Sequence, residues 1–75
     1  MDNNMCSAQE LARRAGETYD AIDHWSGRGL LRFQRRGRRR LYDAVVNLKR
    51  IKRIRALQNK GHSLEAIRDN LATRN

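Results

Sequence analysis

The residues of this chain best suited to bind a ligand are its arginines. The stretch "RFQRRGRRRLY", residues 32–42, holds six arginines around a single glycine, Gly37. A guanidinium group is planar, always charged and able to donate two parallel hydrogen bonds to phosphate oxygens. The cluster therefore favours a phosphate-bearing partner. Taken alone, it fits a disordered basic tail as well as a folded element, and the flanking sequence has to separate the two.

The charge of the chain is large and uneven. The 75 residues include 17 Lys and Arg against 8 Asp and Glu, a net charge of +9. Residues 28–60 hold thirteen bases and one acid, a net +12, whereas the remainder holds four bases and seven acids, a net −3. Such asymmetry indicates a polyanion, most often nucleic acid, with an anionic membrane surface as the main competitor. No apolar run approaches the length of a membrane span.

Residues that could support catalysis or bind a metal are sparse. The chain has two histidines and one cysteine, Cys6, and they show no metal-ligand spacing. The sequence "GRG" follows a predicted helix rather than opening one, which does not fit a phosphate-binding loop. We expect no enzyme activity, metal or cofactor. The opening "MDNNM" is polar and acidic, unlike a signal peptide, so we expect a cytoplasmic, nucleoid-associated protein.

Two short helices precede the arginine cluster. Ser7 and Glu10 form a capping box that begins the first helix, and Gly16 is placed to end it. Thr18 is a plausible N-cap for the second helix, which "SGRG", residues 26–29, ends. Both predicted apolar faces are short: Leu11, Ala12 and Ala15 in the first, and Ala21, Ile22 and Trp25 in the second. This order predicts a helix-turn-helix.

The cluster itself lies in a predicted β-hairpin. "LLRF", residues 30–33, and "RRLY", residues 39–42, are the expected strands, with "QRRGR", residues 34–38, as the turn. Asp43 then caps a third helix that runs to about Asn59, and its expected apolar stripe is Val45, Leu48, Ile51, Ile54 and Leu57, with Val46 nearby. Gly61 ends that helix and Ser63 caps a fourth, whose inner face is Leu64, Ile67 and Leu71.

The predicted fold is mainly α with a small β-hairpin wing: four helices and a two-stranded antiparallel wing in a single domain, residues 1–75. Its core is expected over about residues 6–71, with frayed ends. Because Leu31 and Phe33 on one arm, and Leu41 and Tyr42 on the other, would anchor both arms to the core, the arginines are expected at the tip of a folded wing.

Four segments in this order resemble the winged helix-turn-helix domain of the MerR family. They are "QELARRAG", "AIDHWSGRGLL", "RRRLYD" and "LKRIKRIRALQNKGHSLEAIRDNL". The resemblance covers roughly residues 6–71 and implies a DNA-binding transcription regulator. The chain resembles a short form of the family, either a truncated chain or a naturally short member. In longer members, a dimerising helix and an effector domain would follow the fourth helix.

The second helix departs from the family's pattern. The family commonly carries an arginine there, followed by an aromatic pair. This chain has Asp23 at that position, followed by His24 and Trp25. The contacts that this helix makes with DNA are therefore expected to differ from the family norm. Trp25 lies on the Ile22 face, which favours the core over a base contact.

The resemblance and the charge together give a set of candidate DNA-binding residues. On the second helix, which would enter the major groove, the candidates are Thr18, Tyr19, Asp20, Asp23 and His24. On the wing, which would contact phosphates or a narrow minor groove, they are Arg35, Arg36, Arg38, Arg39 and Arg40. Further candidates are Tyr42, which could donate to a phosphate or close the core, Lys60 and His62 beside the cap residue Ser63, and Arg13 and Arg14 on the first helix.

The main hypothesis is sequence-specific binding of double-stranded DNA by a transcription regulator. One alternative is an excisionase-like recombination directionality factor that bends DNA. The other is a basic module that docks an acidic protein partner.

Acids on the second helix allow two interpretations: they accept from cytosine N4 in the groove, or they stabilise the helix N-terminus and pair with nearby arginines. A homodimer or a side-by-side assembly on DNA is compatible with either.

Overall fold

The structure, a computed structural model, describes residues 4–73. Its elements in chain order are β1 (Met5–Cys6), α1 (Ala8–Ala15), α2 (Tyr19–Gly27), β2 (Phe33–Arg36), β3 (Arg39–Asp43), α3 (Ala44–Asn59) and α4 (Leu64–Thr73). The predicted fold class, mainly α with a β wing, is confirmed. None of these helices has the length and apolarity that crossing a membrane requires.

Side chains at the helix ends determine the helix boundaries as the sequence predicted. Each helix begins after a residue whose side-chain oxygen accepts from the backbone N–H three positions later: Ser7, Thr18, Asp43 and Ser63. Gly16 at φ 71° ends α1, and Gly61 at φ 92° follows α3. Positive φ is accessible to glycine without a Cβ penalty, so these two positions allow the sharp reversals that bring α1 against α2 and α3 against α4.

The wing has three strands rather than two. The sheet order is β1-β3-β2, with both pairings antiparallel. Met5 pairs with Asp43 and Cys6 with Tyr42. The prediction missed β1 because two residues with no alternating pattern give no local strand signal, and their partner lies far along the chain.

The hairpin turn is tighter than predicted. Gln34, Arg35 and Arg36 belong to β2 and pair with Leu41, Arg40 and Arg39, which leaves a two-residue loop of Gly37 and Arg38. Gly37 has φ 63°, and positive φ at the first loop position only is the pattern of a type II′ turn. Charged residues fit the arms because both arm faces are exposed there. Leu30 and Leu31 precede β2 and are buried in the core.

The buried face of α3 begins one residue earlier than predicted. Ile51, Ile54 and Leu57 are buried as expected, but Val45 and Val46 are 47% and 38% exposed. Ala44 and Asn47 are buried in their place. The reason is tertiary: α3 starts directly after β3, the N–H of Ala44 donates to the backbone of Asn4, and Asn47 bonds the segment before β2. These contacts turn the first helical turn inward on the Ala44 and Asn47 side.

Most of the remaining core predictions are confirmed, but Leu41 lies outside the core cluster, and Tyr42 alone joins β3 to it. Leu11, Ile22, Ile67 and Leu71 are buried in one apolar cluster that spans all four helices. Trp25 is 3% exposed and lies in this cluster, with the guanidinium of Arg55 5.1 Å from the ring centroid. Trp25 is therefore a core residue, as its place on the Ile22 face predicted.

Candidate nucleic-acid interface

One face of α2 is polar and exposed, while the opposite face is held in the core. The exposed residues of this face are Tyr19, Asp20, Asp23 and His24. Ile22, Trp25 and Ser26 are buried behind them. This alternation fixes which side chains α2 can offer to a partner. Thr18, also exposed, uses its hydroxyl oxygen to cap the helix by accepting from Ala21 N–H at 3.0 Å.

The wing tip, defined here as Arg35, Arg36, Gly37, Arg38 and Arg39, carries four exposed guanidinium groups. Among residues 4–73, none of these four arginines forms an ion pair with an acid. Arg35 alone has an aromatic neighbour, the ring of Phe33 at 5.8 Å. Four like charges on a short hairpin repel one another, so an external polyanion would relieve a real electrostatic cost.

Arg40 differs from the wing tip because it is held on two sides. Its guanidinium lies 4.8 Å from the centroid of the Phe33 ring, and its Nη1 donates to Asp23 Oδ1 at 2.9 Å. The Tyr42 hydroxyl contributes most to raising the pKa of this guanidinium, and Asp23 adds to the shift. The ion pair joins α2 directly to β3. Of the two interpretations of the α2 acids, Asp23 thus fits pairing with an arginine.

An open groove of about 690 Å³ lies between α2, the wing and the N-terminal strand. The candidate DNA-binding residues that line it are Tyr19, Asp23, Arg35, Arg38, Arg39 and Arg40. Met5, Cys6, Ser7, Ala8, Gln9 and Leu41 complete the lining. The structure therefore brings two residues of α2 and four of the six clustered arginines to one concave surface, whereas the candidates Thr18, Asp20, His24 and Arg36 do not line it.

Tyr42 is a core residue, and the expectation that it contacts a phosphate is corrected. Its side chain is fully buried, and its hydroxyl lies 2.7 Å from Ser26 Oγ. Ser26 Oγ in turn donates to the carbonyl of Ile22. The centroids of the Tyr42 and Phe33 rings lie 5.6 Å apart. A buried hydroxyl with a partner cannot reach a ligand at the surface. Of the two roles that the sequence left open, Tyr42 closes the core.

Arg13 and Arg14 do not line the groove. Both bind the carboxylate of Glu10, one helical turn earlier, instead of leaving that acid to complete the capping box. Hydrogen bonds from Arg13 and then Arg14 hold the pKa of Glu10 below its ordinary value. These arginines remain largely exposed at the surface, so a phosphate contact would compete with Glu10.

The turn between α3 and α4 is a separate basic point. Lys60 and His62 are exposed there, and neither lines the groove. The backbone N–H of both residues donates to the carbonyl of Leu57, which closes the end of α3. Ser63 Oγ accepts from Ala66 N–H and caps α4. The geometry is compatible with both interpretations, an ordinary capping turn and a second contact to a backbone phosphate.

The wing base, defined here as Leu30, Arg32, Asn47 and Arg50, was not predicted. Asn47 is fully buried: its Oδ1 accepts from Arg32 N–H, and its Nδ2 donates to the carbonyls of Arg32 and Asp43, all at 2.8 Å. Arg50 donates to the carbonyl of Leu30 at 2.9 Å. Burial, and then Arg32, lowers the pKa of Arg50. An asparagine on an otherwise apolar helical face was the available signal, since such a residue must find partners.

Two further unpredicted contacts support the site from outside the groove. The guanidinium of Arg40 stacks on the ring of Phe33. An aromatic residue close to several arginines in the sequence was the available signal for this cation–π contact. Arg55 binds Glu17, which joins α3 to the segment between α1 and α2. The hydrogen bond from Arg55 lowers the pKa of Glu17 and, reciprocally, the bond to Glu17 raises that of Arg55. Nothing local in the sequence indicates this second contact.

Metal and thiol chemistry have little support in the described part of the chain. No three His, Cys, Asp or Glu residues within residues 4–73 lie close enough together to hold a metal ion. Cys6 is buried in β1, and burial raises the pKa of its thiol. A buried thiol with a raised pKa is a poor nucleophile.

Comparison with known proteins identifies the family. Searches among curated proteins and among solved structures gave no match to the chain. The family model described as MerR HTH family regulatory protein matches residues 6–73, which is nearly the whole sequence and includes every element from α1 to α4. The chain therefore belongs to the MerR family of helix-turn-helix regulatory proteins and is a DNA-binding transcription regulator.

Proposed function

We propose that the protein binds particular sequences in double-stranded DNA, with α2 in the major groove and the wing tip on the backbone or in the adjacent minor groove. The observation that carries the proposal is the shared groove. It places Tyr19 and Asp23 of α2 beside four arginines of the wing on one surface. A surface that combines positioning charge with polar side chains on a rigid helix meets the two requirements of specific recognition.

Base recognition in this proposal belongs to the exposed face of α2. Tyr19, Asp20, Asp23 and His24 offer donors and acceptors, and buried Ile22 and Trp25 fix the rotation of the helix about its axis. Because a helix fits the major groove, where each base pair has a distinct pattern of donors and acceptors, a fixed face can discriminate among sequences. Thr18 is also exposed at the start of this helix, but its hydroxyl oxygen already accepts a hydrogen bond as the cap.

Affinity belongs to the wing tip. Its four guanidinium groups have no acid partner among residues 4–73, so a phosphate does not have to displace one. Every phosphate that they neutralise releases counterions, and binding should weaken steeply with salt. Lys60 and His62 would add a second point of backbone contact, and Arg13 and Arg14 a third if they leave Glu10.

The size of the domain limits what one copy can do. A single module of this kind buries about 600–1,000 Å² on DNA, which suits modest affinity. We therefore include in the proposal a homodimer or a side-by-side assembly on neighbouring sites, which would raise affinity through a second set of contacts. Residues 1–75 act in this proposal as one DNA-binding domain that works at the nucleoid.

The test is selection of bound sequences from a randomised duplex pool, followed by fluorescence anisotropy against excess competitor DNA. One sequence family should survive competition, and its affinity should fall linearly with salt on logarithmic axes. Equal loss of all duplexes under competition would contradict sequence-specific regulation. If such unspecific binding also brought the ends of a dye-labelled duplex together, the recombination alternative would be favoured. Binding to an acidic protein without binding to DNA would favour the interaction module.

A further inference from the structure

The ion pair between Asp23 and Arg40 lies inside the proposed DNA-binding groove, and its geometry is asymmetric. The Asp23 side chain is 58% exposed, whereas that of Arg40 is 25% exposed beneath it against Phe33. Nη1 of Arg40 donates to Oδ1 of Asp23. The other carboxylate oxygen has no hydrogen-bond donor among the described residues, so Asp23 presents a free acceptor to whatever enters the groove.

The charge of the groove gives this carboxylate its significance. Four arginines line the groove, and Asp23 is the one acid among the described residues that does so. A DNA phosphate drawn toward the arginines meets the Asp23 carboxylate at close range. It must either stay away from Arg40 or take Arg40 from Asp23 and leave a carboxylate unpaired beside a phosphate. Both outcomes weaken binding that depends on phosphate contacts alone.

A base edge meets the same carboxylate differently. The amino group at N4 of cytosine is a donor, and a carboxylate oxygen is its natural acceptor. With Oδ1 held by Arg40, the free Oδ2 can accept from such a donor while the ion pair stays intact. The same side chain therefore opposes a phosphate and accepts a correctly placed amino group, which is how a repulsive element separates right partners from wrong ones.

We infer that Asp23 is a specificity-determining residue that competes with DNA phosphate for Arg40 and so weakens sequence-independent binding more than it weakens binding to the preferred sequence. The inference rests on the proposed function. In this role Asp23 does not attract phosphate. Because Arg40 is paired with Asp23, its charge is not freely available to a phosphate.

The test compares Asp23→Asn with the wild-type protein on a short random-sequence duplex and on the duplex selected by the wild-type protein. The amide keeps the shape of the side chain and removes its charge. On the random duplex, affinity should rise by about three- to tenfold at low salt, and the salt slope should steepen by about 0.9, the equivalent of one added phosphate contact. The gain on the selected duplex should be smaller, so the ratio of the two affinities falls.

Asp69→Asn is the matched control. Asp69 is an exposed acid that pairs with an arginine, Arg68, at 3.8 Å, and it lies outside the groove. The substitution changes the net charge by the same amount, so its effect measures what charge alone does. Circular dichroism and thermal unfolding of both variants check that the fold is kept, which the exposure of Asp23 leads us to expect.

The outcomes are distinct. Equal effects of Asp23→Asn and Asp69→Asn on the random duplex would overturn the inference, as would a loss of affinity in Asp23→Asn, which would make Asp23 a support that holds Arg40 in its binding position. If the wild-type protein selects no preferred sequence, the proposed function fails whatever Asp23→Asn does. If selection succeeds and the affinity ratio is unchanged in Asp23→Asn, only the inference fails.

Discussion

The base and the tip of the wing are both polar, but they differ in whether their polar groups have partners within the protein. At the wing base, the amide of Asn47 and the guanidinium of Arg50 bond the backbone of Arg32 and Leu30, and Asn47 is fully buried. At the wing tip, four exposed guanidinium groups have no acid partner within residues 4–73. The polar groups of the base therefore form hydrogen bonds within the protein, whereas the guanidinium groups of the tip are available to bind a partner.

Arginine content alone therefore does not locate a binding surface. Outside the wing tip, arginines are mostly engaged: Arg55 with Glu17, Arg53 with Asn70, and Arg13 and Arg14 with Glu10. These contacts join elements or cover one helix. What distinguishes the wing tip is the absence of acid partners in the described part of the chain, together with its position on the groove. The following substitutions test this contrast.

The largest effect is expected at the wing base. Asn47→Ala removes three hydrogen bonds and leaves a small cavity and unpaired backbone groups of Arg32, so the free energy of unfolding should fall by about 2–4 kcal/mol. Urea denaturation followed by circular dichroism measures it. The control is Asn59→Ala, an exposed asparagine at the end of the same helix, which should change stability little. Comparable losses in both variants would show that the Asn47 network contributes nothing beyond helix propensity.

The next largest effect is expected at the wing tip, on affinity rather than stability. Arg38→Ala with Arg39→Ala should lower affinity for all duplexes by about tenfold or more at low salt and reduce the salt slope by about 1.8, since two phosphate contacts are lost. Fluorescence anisotropy over a salt series measures both. The control is Lys49→Ala with Lys52→Ala, which removes the same charge from the exposed face of α3. If the two double variants lose affinity equally, net charge and not the wing tip determines binding.

A smaller and qualitatively different effect is expected on α2. His24→Ala should change the order in which duplexes are preferred, by about 1 kcal/mol or about fivefold at the affected base pair, with little uniform loss. Repeating the sequence selection with the variant reveals the change. His62→Ala, on the turn after α3, should leave that order unaltered even if it weakens binding overall. An unchanged preference in His24→Ala would mean that the recognition surface does not include this residue.

The smallest effect is expected at the ion pair between Glu17 and Arg55, which lies outside the wing tip. Glu17→Gln breaks the pair with Arg55 and should cost about 0.5–1 kcal/mol of stability at neutral pH, without changing DNA affinity. Because Arg55 lowers the pKa of Glu17, this stabilisation is fully present above the ordinary value of 4.5 and is lost as the pH falls through the lower folded-state value. Thermal unfolding of both proteins across this range should therefore converge in acid. A constant difference would show that the pair carries no net charge effect.

Local chemistry explains what the sequence could predict. The caps Ser7, Thr18, Asp43 and Ser63 act over three residues, and Gly16 and Gly61 act at single positions, so the ends of the helices could be predicted from short windows. The arginine cluster could be assigned to a folded hairpin because apolar residues flank it. The family resemblance, which the family model confirms over residues 6–73, also rested on such local segments in order.

Contacts between distant segments explain what could not be predicted. A helical period allowed either Val45 or Ala44 to face inward, and the bonds of Asn47 and Ala44 to other segments decided it. The pairing of β1 with β3 joins Met5 to Asp43 and Cys6 to Tyr42, residues far apart in the sequence. The Asp23–Arg40 pair crosses from α2 to β3. Within the candidate site, therefore, the residue types could be anticipated, but which arginine is engaged and which is free could not.

The position of β1 has a practical consequence for handling the protein. Met5 lies both in the sheet and in the lining of the groove, and the carbonyl of Asn4 accepts from the first residue of α3. A purification tag or fluorescent fusion attached ahead of these residues would emerge beside the surface that we assign to DNA, where it could block or mimic the ligand. Tags for binding measurements therefore belong after α4, which contributes nothing to the groove lining.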